Sequence, residues 1–277
     1  MTDTTKTAPP VAPFLRATPI NPAAPSYFDT HCHLDAAEFD VDRDAVYAAA
    51  IASGVDTLVI PAVSRDNFAA VAATCEHFPG CLPAWGLHPM AVDVHRPEHL
   101  ADLRAQIAAQ RPVAIGEIGL DLFVDLDYPT QEYFYVEQLK IAQEFDLPVL
   151  LHCRRANDPL LKHLRKIRVR GGIAHAFNGS PQQADEFIKL GFKLGFGGAF
   201  TWPRANNLRR LAVDLPLEAI VLETDSPDIP PAWIGRGRNA PGELPRIAQT
   251  LADLRQVDLA VVAQATTRSA RELFGLA

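Results

Sequence analysis

The chain has few of the features that define several large protein classes. Its four cysteines (Cys32, Cys75, Cys81, Cys153) in 277 residues are too sparse for a disulfide framework, and none pair as CxxC. A disulfide-stapled secreted domain and a zinc knuckle are therefore not expected. Long apolar runs are missing too: the longest are strand-sized and broken by Gly, Pro or charge, well short of the roughly 20 residues that span a bilayer. Positive charge is in deficit, with 26 Lys and Arg against 33 Asp and Glu and a net charge of -7. That excludes a general basic clamp on nucleic acid but leaves room for a local positive site. No basic segment followed by an apolar core opens the sequence, so no signal peptide is read there. The absences together predict a cytoplasmic protein without membrane contact. What is present is 48% hydrophobic residues, enough for a sizeable core.

Six prolines fall within the first 25 residues (Pro9, Pro10, Pro13, Pro19, Pro22, Pro25), and with little apolar periodicity this stretch reads as a flexible tail. Residues 26–277 read as one domain. From Tyr27 onward, short apolar or β-branched runs alternate with segments of helical period, which is the signature of a parallel sheet wrapped by helices. The expected strands are 27–31, 57–61, 82–86, 113–117, 149–152, 173–175, 193–197 and 220–223. Helices are expected over 42–53, 66–78, 97–110, 130–146, 158–168, 181–190 and 205–213, followed by 242–254 and 258–272 with Gly275 as a stop. About 250 residues and eight β/α units are what a (β/α)8 TIM barrel requires. A doubly wound open sheet is the rival, but no GxGxxG follows the first strand.

Histidines and carboxylates gather at the carboxyl ends of these strands, where barrel enzymes build their sites. His31 and His33 form an HxH pair after the first strand, and strand alternation sends both rings to one side with Cys32 opposite. Glu117 ends the fourth expected strand between Gly116 and Gly119; His152 ends the fifth and His175 the sixth. The eighth runs into Glu223, Thr224 and Asp225. Any one of these alone reads as a hydrogen-bonded core group. All at one end read as a metal site of four imidazoles and two carboxylates, enough for two divalent ions if Glu117 bridges. Two dications, two carboxylates and a bridging hydroxide leave about +1, which favours an anionic ester such as a phosphodiester. Hydrolysis follows as the reaction class, with Asp225 as general base. Glu223 would lie one layer deeper, orienting a ligand, and Asp121 is expected to cap a turn or helix.

With those residues in place the chain resembles the TatD family of metal-dependent hydrolases, among the amidohydrolase-like barrels. The matched elements are Asp29-Thr30-His31-Cys32-His33-Leu34, Gly86-Leu87-His88-Pro89, Gly116 to Asp121, His152-Cys153-Arg154, His175-Ala176-Phe177, Glu223 to Pro227 and Asn239-Ala240-Pro241. The resemblance implies a distorted TIM barrel and two divalent metal ions, and the mixed nitrogen and oxygen donors suit zinc, manganese or magnesium alike. It further implies nuclease activity on DNA, often 3′ to 5′ exonuclease, with RNA attacked by some members. Carried over residue by residue, the ligands are His31, His33, Glu117, His152, His175 and Asp225. Leu122-Phe123-Val124-Asp125 departs from the family's aromatic-rich GLDYY-type run.

On the substrate side, Arg154 shares the inward face with His152 and is expected to contact phosphate. Trp202 with Arg204, and Trp233 with Arg236, Arg238 and Asn239, are expected to stack bases and hold backbone at the mouth. His88 is expected to touch substrate or support a ligand rather than bind metal. Cys32 and Cys153 read as small buried hydrophobes. The expected partner is a nucleic acid, DNA and in some cases RNA, acted on by a monomer. A carbonyl hydrolase, lactonase or amidase, is the alternative on the same barrel, and a non-catalytic metal-stabilised module is a third reading.

Overall fold

The computed structural model describes residues 25–276. The tail expected over residues 1–25 lies, apart from Pro25, outside the described residues. The apolar runs form eight parallel strands, β1 (Tyr27–Asp29), β2 (Val55–Pro61), β3 (Cys81–Trp85), β4 (Ala114–Asp121), β5 (Val149–Arg154), β6 (Gly172–Ala174), β7 (Phe192–Phe196) and β8 (Ile220–Leu222). They pair in sequence order, and the ring closes where Thr30 N donates to Leu222 O (3.1 Å) and Asp225 N to His31 O (2.8 Å). The result is a TIM-like barrel. Its strands are buried on both faces, which is why they read as continuous apolar runs rather than alternating ones.

Helices α1 (Arg43–Ala52), α2 (Phe68–His77), α3 (His99–Ala109), α4 (Tyr128–Glu144), α5 (Asn157–Leu164), α6 (Pro181–Lys189), α7 (Asn206–Asp214), α8 (Leu244–Arg255) and α9 (Leu259–Phe274) lie within a few residues of the expected segments. Local chemistry sets their ends. Ser180 and Gln183 form a reciprocal capping box at the start of α6, with Pro181 at its first position. Gly275, at φ 69°, stops α9 in the left-handed conformation that glycine adopts without a Cβ clash.

Inside the ring, Phe28, Val59, Leu82, Ala114, Leu150, Ile173 and Val221 make a continuous core with Leu273 and Phe274 of α9. Phe274 stacks on Phe28 at 5.7 Å. The C-terminal helix thus plugs the amino-terminal end of the barrel, and burying a ring such as Phe274 contributes about 1.5–3 kcal/mol. The open end is the one that carries the histidines.

One strand differs from its expected bounds in a way that matters. The residue pattern predicts that β4 stops at Glu117, with flanking glycines that allow close backbone approach there, but its ladder with β5 continues through Gly119, Leu120 and Asp121 to Arg154 after a register shift between Ile115 and Ile118. Gly119, at φ 148°, lies so close to β5 that a Cβ would sit 2.1 Å from the carbonyl oxygen of His152. The glycine serves strand approach, so Glu117 falls inside the strand and Asp121 becomes its tip.

Candidate metal centre

Two buried glutamines on one face of α4 hold the strand tips around the mouth. Gln138 donates to Leu87 O (3.0 Å) and accepts from Leu87 N (2.7 Å), fixing the end of β3 beside His88. Two turns earlier, Gln131 does the same for Asp121, accepting from its N (2.8 Å) and donating to its O (3.2 Å). A third clamp ties β1 to β8: Asp29 Oδ1 accepts from His31 N (3.2 Å) and Thr224 N (3.0 Å), and Oδ2 accepts from the Thr224 hydroxyl (2.6 Å). Burial pushes the Asp29 carboxyl up to about 7. The sequence gives no hint of these braces, because the partners meet only once the strands and α4 are packed, as Gln138 with Leu87 and Asp29 with Thr224 do.

All six expected ligand side chains converge. Glu117 Oε2 lies 3.1 Å from His31 Nε2 and 4.0 Å from His33 Nε2, while its Oε1 lies 2.8 Å from His152 Nδ1. Asp225 splits its oxygens in the same manner. Its Oδ1 faces His31 (3.6 Å) and His33 (3.8 Å), and Oδ2 faces His175 Nε2 (3.4 Å). The His31 and His175 rings stack at 3.7 Å. Each carboxylate therefore joins two groups of imidazoles, which is what a centre for more than one cation requires of its donors.

The donor chemistry fits a metal. His31 Nε2 and His33 Nε2 face each other at 3.3 Å, a spacing at which at most one can carry a proton. His31 Nδ1 is buried with no partner among the described residues. Converging lone pairs held beside two carboxylates in a largely buried pocket are costly without a shared cation. Burial would hold both carboxyls up, but the neighbouring His88 and His31 bring Glu117 well below the ordinary carboxylate range, and His175 brings Asp225 below it. Both acids are thus ionised at neutral pH, ready for a dication.

Neighbouring side chains fix the ligands. Burial disfavours charge on His152, yet hydrogen bonds to Asp121 and Glu117 outweigh it and raise the ring to about 9. Asp121 Oδ2 lies 2.9 Å from His152 Nε2, leaving Nδ1 as the atom that faces Glu117. Asp121 also caps a turn, as expected, with Oδ1 accepting from Phe123 N (2.8 Å) and Val124 N (3.3 Å); its role toward His152 is new. Glu223 lies beneath His175, its Oε1 3.1 Å from Nδ1 and accepting from Ala176 N at 2.6 Å. Gly195 makes the space for it, since a Cβ there would sit 2.2 Å from Glu223 Oε2.

His88 stands within reach of the same donors, 3.3 Å from Glu117 Oε1 and 3.1 Å from His152 Nδ1. Its Nδ1 accepts a hydrogen bond from Met90 N (3.0 Å), and burial lowers its pKa. The neutral ring so held carries its proton on Nε2 and offers a donor, not a lone pair, toward the centre.

Two expected substrate residues sit elsewhere. Arg238 forks onto Asp42 (2.9 and 2.6 Å) and donates to Glu38 O (2.5 Å), with its guanidinium 4.7 Å over Phe39. It latches the β8 loop to the segment after β1, spending both terminal nitrogens on contacts within the protein. Asn239 is fully buried, donating to Thr224 O (2.8 Å) and Asp228 O (3.0 Å), so it braces the loop that carries Asp225. Trp233 is likewise engaged, donating to Glu243 (2.7 Å) under Arg246. Trp202 and Arg204 line a recess of about 670 Å³ between the loops after β6, β7 and β8. Arg154 is exposed at the mouth. Cys32 lies against Ser226 (3.1 Å), and burial pushes its thiol well up, as it does Cys153, to about 12.

A parallel eight-stranded barrel with clustered imidazoles and carboxylates at its carboxyl-end mouth defines a metal-dependent hydrolase. Within that class the chain belongs to the family of TatD related DNases, which matches residues 28–275. It is 40% identical over 255 residues to the uncharacterized metal-dependent hydrolase YjjV of Escherichia coli, covering 90% of this chain and 98% of that protein. The crystal structure of YjjV superposes with a TM-score of 0.87 over 91% of this chain and 98% of that one. The 3′-5′ ssDNA/RNA exonuclease TatD of Cronobacter turicensis is 35% identical over 256 residues, 89% of this chain and 97% of the relative. Among the described residues no helix is long and apolar enough to cross a membrane.

Proposed function

We propose that this protein hydrolyses phosphodiester bonds in single-stranded nucleic acid, removing nucleotides from the 3′ end of DNA, with two divalent ions at the centre described above. The observation that carries the reading is the pair of shared carboxylates, Glu117 and Asp225, each splitting its oxygens between two groups of imidazoles. His31, His33, Glu117, His152, His175 and Asp225 would hold the ions, with Glu117 reaching His31, His33 and His152 and Asp225 reaching His31, His33 and His175. Bound there, a pair of divalent cations lowers the pKa of water and offsets the negative charge that builds on a phosphoryl group. The similarity to an ssDNA/RNA exonuclease favours a nucleic acid over a lactone.

The protein's own groups have separate tasks. Asp225, ionised at neutral pH and largely buried, accepts the proton of the attacking water. His88 directs its Nε2 proton at Glu117 Oε1 and His152 Nδ1 and so helps hold those two donors in place. Asp121 and Glu223 keep His152 and His175 oriented. Arg154 contributes a guanidinium at the rim for a backbone phosphate.

The reading is tested with 3′-labelled single-stranded DNA and a lactone panel, using metal-loaded wild type and Asp225→Asn. Mononucleotide release that falls by about 10²–10⁴-fold in the variant supports it. Lactone turnover without nucleotide release contradicts it.

A further inference from the structure

We infer that Phe123, Arg154 and Arg155 form a prearranged clamp for backbone phosphates of a single-stranded polynucleotide, seated on the rim beside the metal centre; this rests on the nucleic-acid reading above. Phe123 is a ring that is 50% exposed at the end of the β4 extension, next to Leu122 at 38%. Such exposure of two apolar side chains at a site mouth calls for a purpose. The Arg154 guanidinium carbon lies 3.8 Å from the ring centroid and that of Arg155 lies 4.6 Å from it. A guanidinium resting on an aromatic face spends its own face on the contact and keeps its N–H edges free.

Those edges are uncommitted. Among the described residues no carboxylate pairs with Arg154 or Arg155, whereas Arg65, Arg104 and Arg238 each hold one. Each free fork can donate bidentately to the oxygens of one phosphate. In a chain of net charge -7, this is the local positive site that a polyanion needs near an acidic pocket.

The clamp is also tied to the centre. The Asp121 carboxylate that holds His152 accepts the Phe123 amide as well, so one group positions a ligand and the aromatic seat. Arg154 follows His152 by two residues and shares its side of β5. Arg155 adopts φ 57°, a left-handed conformation that costs a side-chain-bearing residue roughly 1–2 kcal/mol. Strain of this kind persists where the surrounding structure enforces it and gathers at binding sites. Phe123 acts here as a positioning residue, and the two arginines touch the phosphates.

The test is binding of a fluorescent single-stranded oligodeoxynucleotide in EDTA, where no hydrolysis competes, across a salt series. For Arg154→Gln with Arg155→Gln, the slope of log K against log salt should shallow by about 1.4, roughly 0.7 for each single-strand phosphate that is no longer neutralised. Phe123→Leu keeps both charges, so it should weaken binding about two- to five-fold with the slope unchanged. A double variant with the wild-type melting temperature and an unaltered slope overturns the clamp, as does a wild type that does not bind the oligonucleotide. If the double variant does not fold, Arg155→Gly removes one guanidinium and relieves the strained φ; a slope shallower by about 0.7 supports the clamp and an unchanged one overturns it. Wild-type hydrolysis of bis(4-nitrophenyl) phosphate reports separately on the phosphodiesterase reading, since that small diester does not span the rim.

Discussion

Replacing Asp121 with asparagine isolates the support of one ligand from the rest of the centre. Asparagine keeps an oxygen that can still accept from Phe123 N and Val124 N, so the turn survives. Its amide nitrogen, however, would face His152 Nε2 across the present 2.9 Å, donor against donor. A hydrogen bond to a charged group contributes about 1.5–3 kcal/mol, which corresponds to a fall of roughly 1–2 pKa units for the His152 ring. The ring, now raised to about 9, should therefore titrate closer to the ordinary histidine range in NMR spectra of the EDTA-treated variant. The same change has a signature in stability. A histidine raised above its unfolded value near 6.5 contributes stability that is complete below that pH and is lost as pH climbs through about 9. The stability of the EDTA-treated wild type relative to Asp121→Asn should thus shrink between pH 6.5 and 9, by an amount on the order of 1–3 kcal/mol. Metal affinity should drop about 10–100-fold, the usual cost of losing a ligand's orienting partner. A His152 titration identical in the two proteins would refute the reasoning, because the carboxylate would then have no hold on the ring.

Phe274→Ala should destabilise the protein by about 3–5 kcal/mol in denaturant melts, since the ring plugs the barrel against Phe28. Metal content should stay at the wild-type value, because the plug lies at the opposite end from the histidines. Removing metal by chelation should lower the melting temperature as well as abolish hydrolysis. The native state would lose the RT ln(1 + [L]/Kd) of bound ligand, about 2.7 kcal/mol at a hundredfold excess over Kd, and scanning calorimetry with and without EDTA measures it.

Much of the barrel is legible in the residues, because each element carries its own period. Parallel strands buried on both faces read as short apolar runs, and helix ends such as Ser180 with Gln183, or Gly275, announce themselves locally. The histidines and acids at strand ends are legible for the same reason. What escapes is whatever depends on a distant partner. Gly119 reads as a point of close backbone approach, but that its neighbour is the carbonyl of His152 shows only once β5 is in place. Arg238 looks like a substrate contact until Asp42, 196 residues earlier, is brought beside it. His88 could pass for a ligand, and only the Met90 amide on its Nδ1 decides its tautomer. Asp121 reads correctly as a cap and incompletely as a residue that also holds His152.

The central claim is that Glu117, reaching both groups of imidazoles from one carboxylate, lets a single pocket hold two divalent ions. Elemental analysis of dialysed, metal-loaded protein measures this directly, on wild type and on Glu117→Gln. Two ions per chain in the wild type, and one or fewer in the variant, is the expected result. A wild type that retains none, or a variant with the same count as the wild type, would contradict it.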